Sequence, residues 1–255
     1  MKEYFTNLLD TKNSFVAPAI VFGFCFLVFG LFIKSGIANI ANKDQSISVT
    51  GTTERIVKSD TAKWTISVSE RAYADNAGIN ASKAAGRSIE NIKSYLVKNG
   101  IKNEEITVAA SNLSPICELS SQGYENCSLG IKGQIANQNI VVETTDVEKV
   151  QTLTGRISNE IVGVNIGNNL VEYFYNALKD IRVDMLSEAT KNARERAEAV
   201  AKAGGASVGN IVSLSSGVFQ VTQKNSVAID DYGAYDTSSI EKKITATVKV
   251  NFSVR

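Results

Sequence analysis

Histidine is absent from this chain, and with it the commonest general base and the commonest transition-metal side chain. A Ser-His-Asp triad, a Cys-His pair and a histidine-based zinc site are thereby excluded. No sign of charge predominates either: 27 basic residues face 26 acidic ones, for a formal charge of +1. Residues 1–43 hold four of the basic and two of the acidic side chains, so the remainder stands at 23 against 24. Such a balance offers no electrostatic footprint for nucleic acid. Proline is scarce, with two in 255 residues, while Val, Ile, Ser, Thr, Asn and Lys abound. That suits regular strands and helices and argues against a disordered chain.

What is present begins with one long uncharged run, FVAPAIVFGFCFLVFGLFI, from Phe15 to Ile33. At 1.5 Å per residue it spans roughly 28 Å, close to the hydrocarbon thickness of a bilayer. A cleaved signal peptide fits less well, because the run outlasts a typical apolar core and Gly36-Ile37-Ala38 is a mediocre cleavage site. A lipoprotein signal is disfavoured by Phe24 before Cys25. The expectation is an uncleaved single-pass anchor over 15–33, preceded by a tail (1–14) and followed by a polar tether (34–45). Lys2 and Lys12 before the span are matched by Lys34 and Lys43 after it, so charge leaves the orientation open.

Beyond residue 45 the periodicities predict a mixed α+β domain over 46–255. Strands are expected at 46–58 and at 61–73, where Ala62, Trp64, Ile66 and Val68 share one face. A helix over 76–99 follows, capped by Asp75, striped by Ala81, Ala85, Ile89, Ile92 and Leu96, and ended by Gly100. Strands at 105–118 and 130–144 come next. Thr145 to Glu148 resembles a capping box that opens a second helix with Val147, Val150 and Ile157 inward. A strand over 160–170 completes a β-α-β-β-α-β order, the ferredoxin-like pattern, across 61–170. The second sub-domain is expected to combine 46–58 with 171–255. It holds a helix over about 174–203 with a row of small residues, then strands at 208–221 and 240–254.

Three blocks in this order resemble the SIMPL-domain family of bacterial cell-envelope proteins. They are ISVTGTTERIVKSDTAKWTISVSERA (47–72), YLVKNGIKNEEITVAASNLSP (95–115) and ATKNARERAEAVAKAGGASVGNIVSLSSG (189–217), with ITATVKVNFSV (244–254) closing the match. The resemblance implies an α+β domain that is periplasmic or surface-exposed, secreted or anchored, and in some members a ring-like or channel-like homo-oligomer. It brings no catalytic residues that could be carried over.

The residues themselves offer little chemistry. GGASVGN (204–210) follows a helix, whose C-terminus repels phosphate, so it reads as a helix stop. The serines of SLSSGVF (213–219) have no histidine to activate them. Asp230, Asp231 and Asp236 lack the spacing of a calcium loop and read as a solvated loop, with Tyr232 and Tyr235 as an alternative subunit contact. Trp64 reads as core. No catalytic residue, cofactor or metal is therefore expected.

Cys117 and Cys127 bracket CELSSQGYENC. In the extracytoplasmic compartment that the resemblance implies, disulfides form. Zinc would need further ligands that are lacking, and a nucleophilic cysteine would want a histidine. A Cys117–Cys127 disulfide closing a loop between two strands is the expectation; two unpaired thiols are the alternative. The functional expectation is a non-enzymatic protein of the inner or plasma membrane, held by residues 15–33, with 46–255 outside the cytoplasm and assembling into a homo-oligomer. A ligand-binding or stress-protective module, with an envelope protein or small ligand as partner, is the alternative; an enzyme of unrecognised type is a third.

Overall fold

The computed structural model describes residues 21–26, 28–30, 45–73, 75–228 and 230–255. Residues 21–26 and 28–30 are helical and exposed, with Phe22, Phe24 and Phe26 all open to solvent. The rest of the expected anchor over 15–33, the tail and almost all of the tether lie outside the described residues. Among the described residues no helix is long and apolar enough to cross a membrane.

The elements are β1 (Ser46–Lys58), β2 (Thr61–Tyr73), α1 (Ala77–Lys98), a 3-10 turn (Asn103–Glu105), β3 (Ile106–Val108), β4 (Asn112–Leu119), β5 (Glu125–Thr144), α2 (Val147–Glu160), β6 (Ile166–Phe174), α3 (Leu178–Ala203), β7 (Val208–Ser216), β8 (Gln220–Gln223) and β9 (Glu241–Val254). The described residues form a mixed α+β architecture with two sheets, one ordered β1-β9-β7 with β8 also on β9, the other β3-β5-β2-β6 with β4 also on β5. These residues divide into two compact units: those of 53–188 with 217–247, and those up to 52 with 189–216 and 248–255.

The 53–188/217–247 unit holds the second sheet. All of its paired strands run antiparallel, and β2 lies centrally, with Trp64 opposite Val142 on one side and Val171 on the other. The succession β2-α1-β3/β4-β5-α2-β6 in that strand order is the split βαβ arrangement. Period-two alternation drives Ala62, Trp64, Ile66 and Val68 into one core with Ala81, Ala85, Ile89, Ile92 and Leu96 of α1 and Val147, Val150, Leu153 and Ile157 of α2. Trp64 is fully buried, and its indole N–H donates to Asn169 Oδ1 at 2.6 Å, so no polar atom is stranded.

The helix ends differ from expectation at two points. Residue Asn76, in the left-handed region at φ 61°, is the N-cap of α1 in place of Asp75; asparagine tolerates that conformation better than most residues. Helix α2 is capped one residue later than the box implied, by Asp146, whose Oδ1 accepts from Lys149 N at 3.2 Å. The C-terminus of α1 follows expectation. Gly100 at φ 86° lets Ile101 N reach Leu96 O and Gly100 N reach Val97 O, both at 3.0 Å.

Strand limits also move. The expected 105–118 strand is broken between β3 and β4, and β5 begins at Glu125 because Leu119 and Glu125 face each other in a hairpin. Strand β6 runs to Phe174 instead of ending at 170, since pairing with β2 continues to Thr61–Phe174; α3 accordingly starts at Leu178.

In the other unit, the second half of α3 meets β1 through small residues. Ala189, Ala193 and Ala197 are fully buried. A Cβ on Gly51 would lie 2.6 Å from Ala193 N and 2.7 Å from Ala193 Cβ, and closer still to Ala189 O. Backbone and helix therefore touch directly, and Thr52 N donates to Asn192 Oδ1 at 3.2 Å while Arg196 donates to Thr50 O at 2.8 Å. On the outer face of α3, Arg194 pairs with Glu198 one turn on, at 3.0 Å.

Candidate functional site

Cys117 and Cys127 form a disulfide, with Cα atoms 4.6 Å apart. Pairing passes from Cys117–Ile131 directly to Glu118–Asn126, leaving Cys127 to Gly130 as extra residues on β5. The bridge thus ties down a bulged hairpin end. Among the described residues Cys25 alone is a free cysteine, and it is exposed.

The three loop aspartates do not converge. Asp230 accepts from Tyr232 N at 2.8 Å in a local turn, Asp231 is exposed, and Asp236 belongs to a different constellation. No group of three or more potential metal ligands exists among the described residues. Tyr235 is tied to Tyr175, donating to its carbonyl at 3.2 Å, whereas Tyr232 is 96% exposed.

The Asp236 constellation centres on a buried cation. Lys242 is fully buried, because β9 alternates and Lys242 falls on the face of Ile244, Ala246 and Val248. Its ammonium donates to Asp236 O at 2.6 Å, Ser239 O at 2.7 Å and Asp236 Oδ2 at 3.2 Å. Three donors meet three acceptors, which is what a buried ammonium requires. The Asp236 carboxylate also accepts from Ser238 N at 3.2 Å, Ser238 Oγ at 2.7 Å, Ser239 N at 3.1 Å and the Ser239 hydroxyl. Burial works against its ionisation, but these hydrogen bonds from Ser239, Ser238 and Lys242 prevail and hold the carboxyl well below its usual range.

This knot supports one wall of a cleft of about 560 Å³ lined by Tyr173 of β6, Gln151 of α2, the 223–225 turn and the 238–241 segment. Across it Lys224 pairs with Glu241 at 3.0 Å. Gln223 Nε2 donates to Ser238 Oγ at 3.0 Å. Burial pushes the Tyr173 phenol above its ordinary value.

A second surface feature is β7, the last strand in the order β1-β9-β7. From Asn210 onward its residues are exposed, including Ile211, Val212 and Leu214. No charged residue occurs between Lys202 and Lys224. The sequence reading noted these serines but missed both the bare strand and the Lys242 knot. Lys242 was detectable from the β9 alternation, which places it two residues before Ile244 on the inward face.

A family model described as SIMPL, protein of unknown function (DUF541), matches residues 47–252. A search of curated proteins finds no match. Among solved structures, an uncharacterized conserved protein from Listeria innocua covers 80% of this chain and 92% of its own length at 7% identity. Its TM-score of 0.19 is too low to indicate a shared fold. With four-fifths of its length inside one family model, and with the α+β architecture that the motifs implied, the chain belongs to the SIMPL family.

Proposed function

We propose that this is a non-enzymatic, single-pass membrane-anchored envelope protein whose SIMPL domain lies outside the cytoplasm and self-associates. The observation that carries this reading is β7. Natural edge strands are blunted by lysine, proline or bulges. β7 carries no lysine or proline; its pairing is irregular between Val208 and Ser213 and regular from Ser213 to Ser216, and it offers exposed Ile211, Val212 and Leu214 with no charge. Pairing such an edge with a second copy of itself buries apolar surface and strands no charge. The uncharged run Phe15–Ile33 supplies the anchor, and confinement to a membrane raises effective concentration. The disulfide favours an oxidising compartment. The commitment of every Lys242 donor to Asp236 and Ser239 favours a structural over a chemical role for the one cation buried among the described residues.

Light scattering on the full-length protein in detergent tests the assembly: a defined oligomer is expected, and Val212→Lys is expected to yield monomers with an unchanged melting temperature. A strictly monomeric wild type at micromolar concentration removes the proposal. Location is tested separately by blocking thiols in intact cells before lysis. Cys117 and Cys127 are expected to resist labelling until reduced; prompt labelling by a membrane-permeant reagent would place the domain in the cytoplasm.

A further inference from the structure

We propose that the cleft between Gln151, Tyr173 and the 223–225 turn is a binding site for a neutral, hydroxyl-rich ligand, a short saccharide. The volume, about 560 Å³, falls within the range of small-molecule sites. Its lining is polar yet uncharged in sum, because Lys224 and Glu241 neutralise each other at 3.0 Å. A phosphate or carboxylate ligand approaching Lys224 would meet the Glu241 carboxylate beside it, whereas a neutral ligand meets no like charge.

The polar groups that remain are neutral. The carboxamides of Gln151 and Asn225 and the Tyr173 hydroxyl make no hydrogen bond to any described residue. Gln223 spends an N–H on Ser238 and keeps its carbonyl oxygen. Each carboxamide offers two donors and an acceptor in one plane, a pattern that matches adjacent sugar hydroxyls, which donate and accept in turn. The half-buried Ile240 adds apolar surface at the cleft, while the Tyr173 ring is packed into the core and only its edge reaches the lining.

The cleft wall is also rigid before any ligand arrives. Ser238 and Ser239 are pinned by Asp236, which is itself pinned by the buried Lys242. A buried ammonium is a costly way to gain stability, and fixing the shape of a binding loop gives it a purpose. The site lies within one unit and does not depend on self-association, so its test stands apart from the assembly experiment.

Saturation-transfer NMR on the full-length protein, in a zwitterionic detergent without a sugar headgroup, provides the test. The probes are maltotriose, triacetylchitotriose and the neutral peptide N-acetyl-trialanine amide. Transfer to a trisaccharide is expected at millimolar concentration. It should weaken about tenfold or more in a Gln151→Ala, Asn225→Ala double variant, whose two side chains are exposed and hydrogen-bond to no described residue. Tyr173→Phe, which keeps the ring, should weaken it with an unchanged melting temperature. No transfer to either saccharide overturns the proposal, as does transfer that all the variants leave intact. Transfer to the peptide alone overturns it as well and assigns the cleft to an extended chain.

Discussion

Helix α1 presents Ile89, Ile92 and Leu96 to its sheet, whereas the second half of α3 presents Ala189, Ala193 and Ala197 to β1. In the first case bulky side chains fill the space between helix and sheet. In the second the space is missing, and Gly51 lets backbone approach backbone. Both surfaces are fully buried, so burial alone does not distinguish them. They differ in which error they cannot tolerate: a bulky core suffers from deletion and a close contact suffers from insertion.

That contrast can be broken by substitution. Trp64→Ala removes the largest side chain of the 53–188/217–247 unit and strands Asn169, so a loss of about 4 kcal/mol is expected in urea unfolding. A loss below about 1 kcal/mol would mean that this core is not packed through its bulk. Asp236→Ala leaves the Lys242 ammonium buried without its counter-charge, and about 3 kcal/mol should be lost.

The same carboxylate adds a pH signature. Its folded pKa lies below the ordinary value of 3.8, so its contribution is complete above about pH 5 and is lost progressively as pH falls through that value towards the folded one. Trp64, the lone tryptophan, lies in the same unit and can report it by fluorescence. Acid should destabilise the wild type more steeply than an Asp236→Asn variant; parallel curves would show that the knot carries no acid sensitivity.

On the close-packed side, Gly51→Val should cost about 2 to 3 kcal/mol by forcing β1 from Ala189 and Ala193. The control is Gly86 in α1, where an added Cβ meets nothing within 4 Å. Gly86→Ala should therefore stabilise by up to about 1 kcal/mol, through helix propensity alone. If the two glycines respond alike in thermal unfolding, the distinction between the two kinds of packing fails.

Much of this was legible in the sequence where one rule acts locally. The alternation in β2 and β9, the α1 stripe and the small-residue row of α3 follow from the periods of strand and helix. The stops at Gly100 and Gly205 follow from the freedom of glycine at positive φ: Ala206 N reaches Ala201 O at 2.9 Å after Gly205 at φ 75°, as Ile101 does after Gly100. The disulfide was within reach once a compartment was implied.

Strand limits were harder, because β5 and β6 extend only as far as a partner remains to bond them, and the partner is remote in sequence. The cap at Asn76 turned on a backbone conformation that aspartate and asparagine both accept. For the candidate site, inward placement of Lys242 was written in the alternation of β9, but its partners are supplied by a loop with no period.

The sequence by itself determined which faces are buried, where helices stop and which family blocks the chain carries, because each depends on neighbours a few residues away. Only the tertiary structure decided that Gln151, Tyr173 and Asn225, from a helix, a strand and a turn, line one cleft. It alone showed that Gly51 is needed for contact with Ala189 and Ala193. Such convergence is set by which elements pack together, and residues far apart in the chain meet only once the whole core has chosen its arrangement.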